Sequence, residues 1–312
     1  MKSHRKTFVR FTQIALAIIV VVGLVAGNVS AQEQQADQSR WVLLSDTHIL
    51  ADRTTPHSKV FPADLFEEAV KQYTQLQPRI AGVIITGDCA GLTGRPDDYK
   101  VLREISQPLR DKNIPLHCVM GNHDSRDNYR MEFPEYKPGA DALEIGKKVA
   151  LIETPHVNLI LLDSMLWTNH TTGGLGTDQL RWLADTLDKH PDKPAILFAH
   201  HPPHFNRKPG EKTGALQDTD ALLDVIRDRK QVKAYVYGHS HAWGSNTTDG
   251  ISYVNLPALG WLFDDSPRGW VEMKLSPEGA DFILHTLDTE DQRDGDTVRV
   301  EWEPVAATAE AL

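Results

Sequence analysis

Leu116-His117-Cys118-Val119-Met120-Gly121-Asn122-His123-Asp124 is the stretch on which the fold turns. A short, mostly apolar run, Leu116 to Met120, reads as a buried strand. It stops at a glycine and passes into an amide, an imidazole and a carboxylate. The same order recurs twice upstream. Trp41-Val42-Leu43-Leu44 halts at Ser45-Asp46-Thr47-His48, and Ile80 to Ile85 ends at Thr86-Gly87-Asp88. Between these runs the apolar spacing changes. Leu65, Phe66, Ala69, Val70 and Tyr73 recur at helical intervals within Pro62 to Leu76, as do Tyr99, Leu102, Ile105 and Leu109 within Asp97 to Leu109. Strands alternating with helices predict parallel strands joined by crossovers.

Downstream, Lys148 to Glu153 and Val157 to Leu162 read as strands around a turn at Thr154-Pro155-His156, followed by a helix over Asp178 to Leu187. Ala195 to Ala199 is a strand running into His200-His201-Pro202-Pro203. A helix over Thr219 to Arg229 leads to a strand, Val232 to Tyr237, that ends at Gly238-His239-Ser240-His241. Ile251 to Val254, Trp270 to Leu275 and Ala280 to Leu284 read as antiparallel closing strands. From about Thr286 the chain is acidic and weakly patterned, and reads as a loose tail.

Five strand ends thus supply Asp46 with His48, Asp88, Asn122 with His123, His200 with His201, and His239 with His241. In open α/β sheets ligands bind beyond the carboxyl ends of the strands. Carboxylate, amide oxygen and imidazole are hard or borderline metal ligands. One Asp-x-His, or one strand-end histidine, is common in structural roles. Five such clusters in succession, each in the expected context, point to a metal site. In Asp46-x-His48 and His239-x-His241, an extended backbone would turn both side chains to one face.

On Asp46-Thr47-His48, Gly87-Asp88, Gly121-Asn122-His123-Asp124, Ala199-His200-His201-Pro202 and Gly238-His239-Ser240-His241, the chain resembles the calcineurin-like metallophosphoesterase superfamily. Within it, the chain looks most like the bacterial cyclic-nucleotide phosphodiesterase branch. The match spans about residues 40 to 285. The resemblance implies a four-layer α-β-β-α sandwich with two mixed β-sheets and the metals at the strand C-terminal ends. It implies that Asp46, His48 and His241 hold one divalent ion, that Asn122, His200 and His239 hold a second, and that Asp88 bridges them. Two ions, two carboxylates and one hydroxide leave a positive site that attracts a phosphate. The implied reaction is attack by a metal-bound hydroxide on a phosphate ester, with His123 donating a proton to the leaving oxygen and Asp124 orienting His123. Asp124 also reads as a helix N-cap. Mn, Fe, Zn and Co all suit mixed oxygen and imidazole ligands. Many relatives carry Asp, Asn or Tyr three residues after the bridging Asp. Gly91 stands there, which excludes an iron-tyrosinate site.

The expected substrates are small phosphodiesters of the cyclic-nucleotide kind. The alternatives are monoesters, or nucleotide or phospholipid pyrophosphates, and, outside enzymes, an inactive envelope binding protein on the same fold. His201 reads as a structural residue behind the site and His204 as a rim residue. Arg126 reads as a phosphate contact or an exposed loop cation, and Trp243 and Trp261 as pocket wall or core.

The 312 residues are 40% apolar and 24% charged, an ordinary globular balance. Lys2, Arg5, Lys6 and Arg10 precede an apolar run, Ile14 to Ala26, and Val29-Ser30-Ala31 offers small residues for cleavage. Residues 1–31 therefore read as a secretory signal peptide, and His4 to Arg10 resembles a twin-arginine leader with Lys6 in place of the second Arg. An uncleaved anchor is the other reading, against which the run is short. Residues 32–39 read as a polar tether, 40–285 as the phosphoesterase domain and 286–312 as an acidic tail. The expected location is periplasmic or extracellular. Loss of the leader takes the net charge from −10 to −14, which disfavours a nucleic-acid polymer as partner. The strand alignment places Cys89 and Cys118 beyond disulfide reach, so two free thiols are expected. Asn169-His170-Thr171 and Asn246-Thr247-Thr248 are sequons, of use only in a host that glycosylates.

Overall fold

The computed structural model of the chain describes residues 36–135, 146–205 and 213–302; the expected signal peptide and most of the tether lie outside them. In chain order the elements begin with strand β1 (Asp37–Leu44), helix α1 (Pro62–Tyr73), β2 (Ile80–Ile85), α2 (Pro96–Ile105), α3 (Gln107–Asp111), β3 (Leu116–Cys118) and α4 (Arg126–Glu132). Then follow β4 (Ala150–Glu153), β5 (Asn158–Leu161), α5 (Thr177–Lys189), β6 (Ala195–Phe198), α6 (Thr219–Ile226) and β7 (Val232–Tyr237). The described chain closes with β8 (Gly244–Thr248), β9 (Ile251–Asn255), β10 (Gly269–Ser276), β11 (Gly279–Thr286) and β12 (Thr297–Glu301).

The period-2 alternation of β1 sets the layering. Trp41 and Leu43 enter a core between two sheets, where they join Leu159, Phe198 and Val236. Val42 and Leu44 point the other way, into a core with Phe66 and Val70 of α1 and Leu102 of α2. Across the molecule, Ile160 and Leu197 pack against Leu183 of α5 and Leu222 of α6. The result is helix, sheet, sheet, helix, as expected. One sheet has the order β12-β11-β10-β1-β2-β3 and the other β4-β5-β6-β7-β9-β8. β1, β2 and β3 are parallel to one another, as are β5, β6, β7 and β9, and the flanking strands are antiparallel.

Several expectations need correction. Residues 37–39 are not tether: β1 starts at Asp37, whose N–H donates to the Arg79 carbonyl. The helix expected over Asp97 to Leu109 is two helices broken at Ser106. Pro108 has no N–H to continue the ladder. The short α4 was not foreseen; Ser125 caps it by accepting from the Asn128 N–H, so Asp124 is not an N-cap. β9 is parallel to β7 rather than antiparallel, because a hairpin from β8 reverses the chain first. β8 is polar and half-exposed, with no alternation to betray it. Its turn, Asp249-Gly250, has both residues at positive φ (53° and 77°) and is a hairpin signal legible in the sequence. The stretch after Thr286 is no loose tail up to Trp302. β12 pairs with β11, and Val300 and Trp302 are buried between the sheets.

The two sheets meet at their carboxyl ends. Ser45 bridges Ala258, the Leu259 and Gly260 N–H groups donate to the Ser45 and Asp46 carbonyls, and the His239 N–H donates to Asp46 Oδ2. Every polar cluster of the sequence falls at this junction.

Candidate metal centre

The backbone at the strand ends departs from the extended form. Asp46, His48, Asp88, His239 and His241 have φ of 51°, 49°, 48°, 66° and 51°. The left-handed region costs a non-glycine residue about 1–2 kcal/mol. Asp46 and His48 therefore do not share a face by extended alternation, and neither do His239 and His241. Each pair is folded inward by turns that the surrounding structure enforces, and strain gathered in this way marks a functional site. Gly121 and Gly238 allow close approaches, since a Cβ would lie 2.2 Å from the Asp88 nitrogen at the first and 1.7 Å from Ser45 Oγ at the second.

The donors form two sets. In the first, Asp46 Oδ1 lies 3.2 Å from His241 Nε2 and 3.7 Å from His48 Nε2, and the two imidazole nitrogens are 3.3 Å apart. In the second, His200 Nε2 lies 3.1 Å from Asn122 Oδ1 and 3.1 Å from His239 Nδ1. Asp88 Oδ2 belongs to both, 3.9 Å from His48 Nε2 and 3.3 Å from His200 Nε2. A tetrahedral shell with bonds of about 2.0–2.2 Å has edges of roughly 3.3–3.6 Å. The spacing therefore fits ions seated among these atoms. All seven residues named in the sequence as ligands converge here.

Hydrogen bonds fix which nitrogen faces the centre. A carbonyl only accepts, so the Nδ1–H of His200 donates to Thr86 O at 3.0 Å, and that of His241 to Trp261 O at 2.6 Å. Both leave a bare Nε2 for an ion. Asp46 Oδ2 accepts from Ser45 Oγ and from the His239 N–H, and Asp88 Oδ1 accepts from the His123 N–H at 2.8 Å. Asp46 Oδ1, the oxygen aimed into the first set, is buried without a hydrogen-bond partner.

The electrostatics agree with a cation site. Burial disfavours ionised Asp88, yet His200, His48 and His123 hold its carboxyl well below the usual range. Burial likewise opposes charge on His200, yet Asp88 and Asp46 raise it to about 9. His241 is raised too, against its burial, by Asp46. Burial drives His48 down to about 3 and His239 down to about 4. Without metal, a proton on His200 offsets part of the carboxylate charge; bound cations would replace it.

His123 is half-exposed beside this centre, its ring 5.3 Å from that of His48. Its Nδ1–H donates to Leu92 O at 2.6 Å, so Nε2 is the atom free to exchange a proton. Asp124 does not orient it. The Asp124 carboxylate accepts from the N–H groups of Cys89, Ala90 and Gly121 and from the Tyr99 hydroxyl. It ties the loop carrying Asp88 to the loop carrying Asn122. Arg126 is not an exposed loop cation: its guanidinium is paired with Asp163 at 2.6 and 2.8 Å. Trp243 packs against the core between the sheets, whereas Trp261 stacks on His48 with centroids 3.5 Å apart. His201 is buried behind His200 and His239 with its Nδ1 on Ser164 Oγ at 2.7 Å, and its backbone carbonyl accepts from Tyr235. The N–H of His204 is tied to Thr219. Gly91 lies under the His48 carbonyl, where a Cβ would crowd Leu50. Cys89 and Cys118 are free and buried, as expected. They are neighbours rather than far apart: burial and the Cys118 thiol push the Cys89 thiol up. The supporting carbonyls of Thr86, Leu92 and Trp261 could not be read from the sequence, because every residue has one.

A family model described as calcineurin-like phosphoesterase matches residues 39–243. A probable glycerophosphodiester phosphodiesterase of Arcobacter nitrofigilis is 33% identical over 64% of this chain and 71% of its own. A 3',5'-cyclic adenosine monophosphate phosphodiesterase of Pseudomonas aeruginosa is 29% identical over 64% of this chain and 68% of its own. Among solved structures, a dimetal phosphatase from Danio rerio superposes with a TM-score of 0.66 at 17% identity, covering 85% of this chain and 99% of that one.

Proposed function

This chain belongs to the calcineurin-like phosphoesterase family, and on that premise we propose that it is an exported phosphodiesterase working with two divalent ions. That it is a metal-dependent hydrolase of small phosphate esters follows from the family and its phosphodiesterase relatives. The observation that carries the two-ion reading is Asp88 Oδ2, within 3.9 Å of His48 Nε2 and 3.3 Å of His200 Nε2. One carboxylate oxygen facing two donor sets is what a shared ligand requires. Asp46, His48 and His241 would hold one ion, and Asn122, His200 and His239 the other. Export is supported by the basic, apolar and small-residue order of residues 1–31. No helix among the described residues is long and apolar enough to cross a membrane.

When bound, two such ions neutralise phosphate charge and make water a strong nucleophile at neutral pH. The chain supplies the rest. Asp88 Oδ1, fixed by the His123 N–H, keeps Oδ2 turned to both donor sets. His123 acts on the leaving side. As the P–O bond breaks, its electron pair stays on the leaving oxygen, and the proton on His123 Nε2 moves to that oxygen. The imidazole left behind is neutral, still held by its Nδ1–H on Leu92 O.

The test is metal analysis of the purified protein together with turnover of bis(p-nitrophenyl) phosphate and p-nitrophenyl phosphate. Two equivalents of metal and faster cleavage of the diester are expected. Faster cleavage of the monoester would make it a monoesterase, and a single equivalent of metal would end the two-ion reading.

A further inference from the structure

Five large apolar side chains are exposed among the described residues, and three of them, Leu92, Trp167 and Phe263, belong to loops around the centre. Leu92 holds His123 through its carbonyl. Phe263, 68% exposed, stacks on the His241 ring at 4.3 Å and 24°. Trp167, 58% exposed, lies edge-to-face with His170 at 3.9 Å. It precedes Thr168, whose hydroxyl donates to Asp124 O, and Asn169, whose N–H donates to Asn122 O. One aromatic ring thus stacks on a residue of the first donor set, and the other starts a segment whose next two residues bond to the backbone of Asp124 and of Asn122 in the second.

Neither ring is on a loose loop. Lys147 Nζ donates to the carbonyls of Asp163, Met165 and Gly174, which pins the loop of Trp167. The loop of Phe263 is pinned by the Leu259 and Gly260 N–H groups on Ser45 and Asp46, and by Arg268 on Gly260 O. Each ring is packed by an imidazole and otherwise largely open to solvent. An exposed aromatic held at a site is preorganised for stacking, with little ordering left to do on binding.

We propose that Phe263 and Trp167 are specificity residues that bind a planar aromatic substituent on the substrate phosphorus. The proposal rests on the phosphodiesterase reading above. An aryl ring and a nucleobase offer the same flat π-face, and stacking tolerates either.

Three diesters with one leaving group, the methyl, phenyl and thymidine 5'-esters of p-nitrophenyl phosphate, separate the possibilities. The wild type should favour the phenyl and thymidine esters over the methyl ester. Phe263→Ala and Trp167→Ala should each lower that preference at least about fivefold, mainly through KM, and Phe263→Tyr should restore it. Gain confined to the thymidine ester identifies a nucleobase, and gain with both identifies any aryl group. Equal losses on all three esters, or none, would overturn the proposal. If the wild type cleaves no diester, the functional reading fails but the rim is still tested by binding. Phenylphosphonate should then bind more tightly than methylphosphonate, and Phe263→Ala should abolish the difference; equal binding of the two by the wild type overturns the rim.

Discussion

At the scale of single residues, His123 and Asp124 are neighbours with different tasks. His123 has its ring at the centre and its Nδ1–H on Leu92 O. As a proton donor it matters only where the leaving oxygen needs a proton. His123→Ala should keep both ions and lose about 10²- to 10⁴-fold on a cyclic nucleotide or alkyl ester. It should lose far less on a nitrophenyl ester, whose leaving group is stable as an anion. Equal losses on both would leave His123 a positioning role, and loss of one ion would make it a ligand. Asp124 is buried, raised to about 6 by burial and by Asp88, and accepts four hydrogen bonds from three segments. Asparagine in its place would set an NH₂ against backbone N–H donors. Asp124→Asn should weaken metal affinity by about 10- to 100-fold, as loss of a supporting partner does. Unchanged affinity by calorimetry would show that the two loops need no tie.

At the scale of elements, the unforeseen strands are β8 and β12. β12 is short, but its Thr-Val-Arg-Val-Glu alternation was legible, and Val298, Val300 and Trp302 turn to the core between the sheets. A buried Trp cut to Ala typically costs about 3–5 kcal/mol. Trp302→Ala should lower urea-unfolding stability by about 3 kcal/mol; a change within about 0.5 kcal/mol, the usual range for surface positions, would return this stretch to a tail. Long apolar runs and helical spacing were legible because burial on a whole face repeats along the chain. The seven ligand types were legible because they follow those runs directly. Legibility stopped at the turns: left-handed φ at Asp46, His48, Asp88, His239 and His241 replaced the extended geometry expected of Asp-x-His and His-x-His.

At the scale of the molecule, the site is a charge imbalance that protons or cations can settle. His200, raised to about 9, carries a proton at pH 7 in the metal-free protein and must lose it before Nε2 can bind an ion. Mn²⁺ binding at pH 7, measured by calorimetry in buffers of different ionisation enthalpy, should release at least about one proton per protein. The apparent affinity should weaken as pH falls below about 9, and absence of proton release would refute the assignment. Bound ions should also raise the melting temperature, by mass action worth about 2.7 kcal/mol at 100 times Kd, and a chelator should reverse it. The sequence by itself determined the alternating elements and the placing of carboxylate, amide and imidazole groups at strand ends, whereas the four layers and the assignment of ligands came with the family resemblance those motifs carry. The first two rest on local patterning and on what a side chain is able to donate. The tertiary structure alone decided that Asp88 Oδ2 faces two donor sets, that Leu92 and not Asp124 holds His123, that Arg126 is paired with Asp163, and that Phe263 stacks on His241. Each of these is a contact between segments distant in the chain, fixed only when the two sheets pack face to face and their strand ends turn inward.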